Sequence, residues 1–253
     1  MGFLSNWRRR RAADSIRIDE DQWRRAEAHL PFLAHLDSHQ RGRLRELARE
    51  FIATKEWSGA QGFTLSPPVQ LAIALQACLL VLEQGLEAYR GWVGIVVYPG
   101  DFVIPRQTMD EAGVVHEYDD EVLGEAWEGG PVLLSWSDDA GRADGINVVI
   151  HEFAHKLDMR NGEVDGLPAL PRDMPRSAWL AAFAPAYEDF CRRVDAGEDL
   201  RLDPYAAEHP AEFFAVMSEA FFVMPRILHA EYPAVYAQLR QLYAQDPAST
   251  SAS

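Results

Sequence analysis

The stretch from Asp144 to Asp158 constrains this chain more than any other. It carries H-E-x-x-H at His151, Glu152 and His155 between apolar flanks. Asp144 is a candidate N-cap, and Ile146, Val149, Ile150, Phe153 and Leu157 recur at helical spacing, which predicts a helix in the core. On that helix the histidines are four residues apart and project from one face. Two neutral imidazoles so placed can hold a zinc ion, with room for a third ligand and a water. Glu152 is turned about a hundred degrees from His151, within reach of that water without ligating the metal. The bland alternative is a surface helix with two satisfied histidines and a solvated glutamate. The apolar flanks argue against it, because a buried helix does not carry His, Glu and His without a compensating partner. The pattern points to metal-assisted peptide hydrolysis and still lacks one ligand.

With 253 residues, 48% of them hydrophobic, the chain can bury a sizeable core as one domain or two small ones. A net charge of −15 disfavours binding to a phosphate backbone, so no direct nucleic-acid partner is expected. Cys78 and Cys191 are too few for a disulfide framework, and Cys78 lies in an apolar run, which suits a buried thiol in a reducing compartment. Arg8 to Arg11 precede Ala12-Ala13-Asp14-Ser15 and then Asp19-Glu20-Asp21, where a secretion signal would need an apolar core. The longest apolar run, Val69 to Leu82, is too short to span a bilayer and is interrupted by Gln70 and Gln76. A cytoplasmic protein without a membrane partner is expected.

Along the chain, residues 1–60 read as an N-terminal helical segment, with Asp37-Ser38 capping a helix that carries Leu44, Leu47, Phe51 and Ile52. Trp57 to Gly62 reads as a break. Ser66-Pro67-Pro68 opens an apolar helix that runs to about Glu83 and ends near Gly85. Strands are expected at Gly94–Pro99, Phe102–Ile104 and Val132–Trp136, with Val114–Tyr118 a further candidate. The strand before the H-E-x-x-H helix could offer its edge to an extended substrate backbone. Helices follow at Trp179–Val194, where Pro185 interrupts the pattern, from Pro210 to about Pro225, and at Pro233–Tyr243. Residues 61–245 thus form the second unit and 246–253 a disordered tail.

The missing ligand should be a side chain whose position packing fixes. Asp158, seven residues past His151, sits too far along the helix to share a tetrahedral ion and is read instead as a group that orients a histidine. Glu212 and Glu219 lie seven apart on one face of an apolar helix, where a carboxylate needs a charge partner. Glu212 is chosen as the ligand, and Glu219 is assigned a contact to an imidazole or to Tyr205. His209, held outside the helix by Pro210, is read as a cleft or surface residue.

His151 to Asp158, Asp203-Pro204-Tyr205-Ala206-Ala207 and Pro210 to Glu219 together resemble the MtfA family (Mlc titration factor A). The likeness also covers Ala77 to Glu83, Val96 to Pro99 and Gly130 to Leu133, and so most of the chain from about residue 60 to 245. The resemblance implies a gluzincin-type zinc peptidase: an α+β, mainly helical zincin-like fold with a small mixed sheet before the H-E-x-x-H helix. By that likeness His151, His155 and Glu212 match the ligands of one zinc ion per chain. Glu152 matches the general base, and Tyr205 the tyrosine that assists the transition state. It further implies aminopeptidase-like activity on a peptide substrate and, in some members, binding and inactivation of the Mlc transcriptional repressor. Two rival readings follow from the residues: a regulator-binding protein with a vestigial or structural zinc site, and a metal-free α+β scaffold.

Overall fold

The computed structural model describes residues 13, 15–100, 102–109, 115–122, 124–136 and 146–249, with the backbone alone for 102–109 and 115–122. Two helices open it, α1 (Glu20–Ala28) and α2 (Ser38–Thr54). Each starts at an aspartate whose side chain takes the N3 amide while a glutamine returns the bond, Asp19 with Gln22 and Asp37 with Gln40. Strand β1 (Glu56–Gly59) follows, then α3 (Pro67–Leu79) with its prolines in the first turn, and β2 (Gly94–Tyr98). Strands β3 (Phe102–Met109) and β4 (Val115–Val122) pair antiparallel as a separate hairpin. Next come β5 (Gly124–Ala126), β6 (Val132–Ser135) and α4 (Val148–Asp158), the helix of the H-E-x-x-H motif. The chain continues through α5 (Arg176–Asp195), α6 (Pro210–Val223), α7 (Pro225–Glu231) and α8 (Pro233–Tyr243). The architecture is the mainly helical α+β fold with a small mixed sheet.

The sheet has the order β1-β2-β6-β5, with β1, β2 and β6 parallel and β5 antiparallel on β6. Two expectations change here. Trp57 to Gly62 is not simply a break, because β1 occupies its first half. A four-residue strand with one large apolar side chain shows no alternation to read, and pairing with β2 imposes its conformation. Nor does β6 offer an edge, since β2 and β5 flank it. Among the described residues β1 and β5 hold the two outer positions, and β5 is the one beside β6. The boundary expected near residue 60 falls directly after β1, a strand of the same sheet.

Buried side chains from Trp23 to Tyr243 form one cluster. Ile95, Val97, Val132 and Leu134 supply the fully buried residues of β2 and β6, and α4 packs between the sheet, α3 and α6. Phe153, on the back of α4, meets Phe51, Tyr89 and Trp92 with ring centroids 5.7, 5.3 and 5.8 Å away. Helix α5 runs unbroken through Pro185, whose exposed position leaves Trp179, Phe183 and Phe190 to hold the helix by packing. Residues 246–249, expected in a disordered tail, are ordered. Asp246 accepts a 2.6 Å hydrogen bond from Tyr236, and Pro247 is buried at the start of a 3-10 turn. Their partners, Tyr236 and Arg240, stand on the preceding helix; residues 250–253 lie outside the described residues. Among the described residues no helix is long and apolar enough to cross a membrane.

Phe153 carries the aromatic anchor of α4, so Phe153→Ala is expected to lower the unfolding free energy by about 3–5 kcal/mol. Chemical denaturation followed by tryptophan fluorescence measures this.

Candidate metal centre

Helix α4 begins later than expected. Asn147 is its N-cap, its side-chain oxygen accepting from the Ile150 amide at 2.9 Å, and Asp144 lies outside the described residues. The one-turn spacing brings the rings of His151 and His155 together, with centroids 4.8 Å apart. Helix α6 lies alongside. Pro210 starts it, and His209 is its N-cap, Nδ1 accepting from the Ala211 amide at 3.2 Å. His209 is exposed, as the sequence reading placed it, and also caps the helix. Glu212 falls in the first turn of α6 and faces the two imidazoles.

The contact atoms form a nearly equilateral triangle. His151 Nε2 lies 3.0 Å from Glu212 Oε2, His155 Nε2 lies 3.2 Å from it, and the two Nε2 atoms are 3.1 Å apart. A tetrahedral ion with ligands at roughly 2.0 Å sets its ligand atoms about 3.3 Å apart, so the triangle has the dimensions of one face of that polyhedron. His151 Nδ1 donates to Glu219 Oε1 at 2.7 Å, which leaves the lone pair on Nε2. Two imidazole lone pairs and a carboxylate oxygen meeting at such distances repel unless a cation or shared protons lie among them. The donors therefore fit a divalent ion. Among the described residues, His151, His155 and Glu212 are the group with metal-ligand potential.

With no metal, the charges compensate one another. Burial would lower the His151 pKa, but Glu219 and Glu212 hold it well above the ordinary value. Burial would raise the Glu212 pKa, yet hydrogen bonds from the two imidazoles hold it well below the usual carboxylate range. Glu152 is almost wholly enclosed, and burial pushes its carboxyl up to about 7 against the pull of both histidines.

Glu219 is one of the residues brought together, through its contact with His151. Asp158 hydrogen-bonds neither imidazole, although the nearby His155 favours its charged form. It is fully buried, and Oδ2 accepts from the Gly166 amide at 2.9 Å. Gly166, at φ +77°, lies so close to the start of α6 that a Cβ would sit 2.3 Å from the Pro210 carbonyl oxygen. Asp158 thus ties the end of α4 to the turn that backs Glu212's helix. Tyr205 is half exposed in the 3-10 turn Pro204–Ala207, its ring centroid 6.1 Å from that of His151, at the rim of the centre.

Three residues escaped the sequence reading. Gly124 on β5 lies against Glu152, where a Cβ would meet its Cγ and Oε1 at 2.6 Å. Lys156 is buried, donates to the carbonyls of Trp127 and Gly130 in the β5–β6 turn, and sits 4.8 Å from the Trp92 ring centre. Burial lowers its pKa to about 8. Asn147 also donates its backbone amide to Glu219. An isolated glycine or lysine gives no periodic signal.

Comparison with known proteins follows the same residues. The family model described as glucose-regulated metallo-peptidase M90 matches residues 4–244, extending the likeness read from residue 60 onward to nearly the whole chain. Mlc titration factor A of Klebsiella pneumoniae subsp. pneumoniae is 37% identical over 243 residues, covering 94% of this chain and 91% of that protein. The protein of the same name from Salmonella schwarzengrund is 38% identical over 242 residues, covering 93% and 90%.

Removing a donor should open the triangle. Glu212→Ala is expected to weaken zinc binding by more than the roughly 10–100-fold typical of losing a group behind a ligand, the range expected for Glu219→Gln. Chelator competition reads both, and wild-type affinity in Glu212→Ala would remove that carboxylate from the centre.

Proposed function

The chain belongs to the glucose-regulated metallo-peptidase M90 family, and on that premise we propose that it is a zinc-dependent, aminopeptidase-like peptidase. The observation that carries this reading is the 3.0–3.2 Å triangle of His151, His155 and Glu212 with Glu152 beside it. Two imidazoles and one carboxylate make a donor set suited to catalytic zinc with an open position. When bound, the ion supplies Lewis acidity, which makes water acidic near neutral pH and polarises a peptide carbonyl.

The chain's own residues do the rest. Glu152 takes a proton from the attacking water and returns it to the leaving amine. Its enclosure against Gly124 limits where the carboxylate can point and keeps bulk water away from the proton in transit. Tyr205, at the rim, turns its hydroxyl toward the developing oxyanion, a contact worth about 3 kcal/mol in comparable sites. An extended peptide pairs its backbone with β5, which among the described residues has β6 as its one strand partner. Main-chain pairing of this kind selects little for side chains. Glu219 keeps His151 in the tautomer that ligates.

The relatives' printed name, Mlc titration factor A, favours a second role that can coexist with the first: binding of an Mlc-type transcriptional regulator. Tight binding that leaves the regulator uncleaved and survives Glu152→Gln would separate this role from catalysis.

Glu152→Gln is expected to retain zinc and lose hydrolysis of chromogenic amino-acid and peptide substrates; full activity in that variant would rule the assignment out. Gly124→Ala is expected to keep fold and zinc, because the flexible Glu152 carboxylate gives way before the backbone does. Displacing it should lower kcat roughly 100-fold, measured beside zinc content and melting temperature.

A further inference from the structure

Gln76 is one of two glutamines in an otherwise apolar helix, and unlike Gln70 it is buried, with 4% of its surface exposed. A buried amide must find partners for both its oxygen and its nitrogen. Its Nε2 donates to the Ala72 carbonyl at 3.1 Å, and its Oε1 accepts from Asn147 Nδ2 at 2.7 Å. The backbone dictates both amide orientations. The Ile150 N–H is a donor, so Asn147 must present oxygen to it and nitrogen to Gln76; the Ala72 carbonyl is an acceptor, so Gln76 must present nitrogen to it and oxygen to Asn147. The Asn147 backbone amide then donates to Glu219 Oε2, which leaves Oε1 for the Nδ1–H of His151.

We propose that Gln76 and Asn147 are positioning residues for the metal centre, acting through Glu219 to hold His151 Nε2 at the ion. In the chain Ala72–Gln76–Asn147–Glu219–His151, Asn147 donates to Gln76 on one side and to Glu219 on the other, and Glu219 also accepts from His151; the chain crosses three helices, α3, α4 and α6. Each link fixes the rotamer and hydrogen-bonding sense of the next. Gln76 matters because without it the half-buried Asn147 side-chain amide loses its protein partner at the start of α4. An Asn147 side chain that turns to find another partner drags its backbone N–H away from Glu219. This inference rests on the proposed metal site and concerns affinity for the ion rather than turnover.

The test is chelator competition with zinc alone, on the full chain and on Gln76→Leu, Asn147→Ser and the double variant. Thermal unfolding of the metal-free forms is followed in parallel. Each single variant is expected to weaken zinc binding about tenfold, and the double variant no more than either one, because the two act through one chain. A residue that merely packs would lower the melting temperature and leave the affinity of the folded protein intact. Folded single variants whose zinc affinity stays within about twofold of wild type, or singles whose losses simply add, overturn the proposal. Should Gln76→Leu fail to fold, Asn147→Ser decides alone, since its hydroxyl still caps α4 while the amide link to Gln76 is gone. If the wild-type chain binds no zinc, the metal centre itself fails, an outcome distinct from unchanged affinity in the variants.

Discussion

Everything at the centre depends on one imidazole held from both sides. His151 gives Nδ1–H to Glu219 and turns Nε2 toward Glu212, and both carboxylates belong to the same face of α6. Two turns of one helix therefore grip a single side chain of another. The spacing of seven residues between Glu212 and Glu219 is what makes that grip possible, because it returns the chain to the same face about 10 Å further along. An ordinary helix crossing touches through apolar ridges and tolerates some sliding. Here a shift of α6 against α4 would break one carboxylate contact as it strained the other.

The price of this arrangement is a set of buried charges, and the fold meets it locally. Carboxylates and imidazoles offset one another, the α4 N-cap adds a backbone donor, and the surrounding apolar helices keep the group compact. Aromatic packing then fixes each helix from behind. Phe153 ties α4 to Phe51, Tyr89 and Trp92, whereas Phe213 and Phe214 tie α6 to α5 through Phe183 and Trp179. Residues from both halves of the sequence thus hold the two helices in register, and buried residues from Trp23 to Phe51 belong to the same core.

Much of this was legible in the residues. Prolines at helix starts, aspartate caps and the H-E-x-x-H spacing marked α2, α3, α4, α6 and α8 to within a few residues, since those signals act locally. Glu212 and Glu219 could be paired from their spacing alone. What the sequence hid were features created by distant partners. Strand β1 exists because β2 pairs with it, and Gly124 counts because Glu152 lies against it. Asp158 illustrates the same limit. Its position beside the motif suggested a histidine partner, but the amide of Gly166 also binds it, and no periodicity could announce that turn.

The Asp158–Gly166 bond also divides the chain into parts under unequal constraint. At one end of residues 159–165 stands the last turn of α4; at the other, Gly166 is pinned by Asp158, by the Trp179 indole that donates to its carbonyl at 3.1 Å, and by the wall of α6. Most of the residues between are exposed, and their length has no bearing on how the two ends are held. An insertion among the exposed residues 162–164 would load neither anchored end, which makes this stretch suited to carrying an affinity tag or fluorophore.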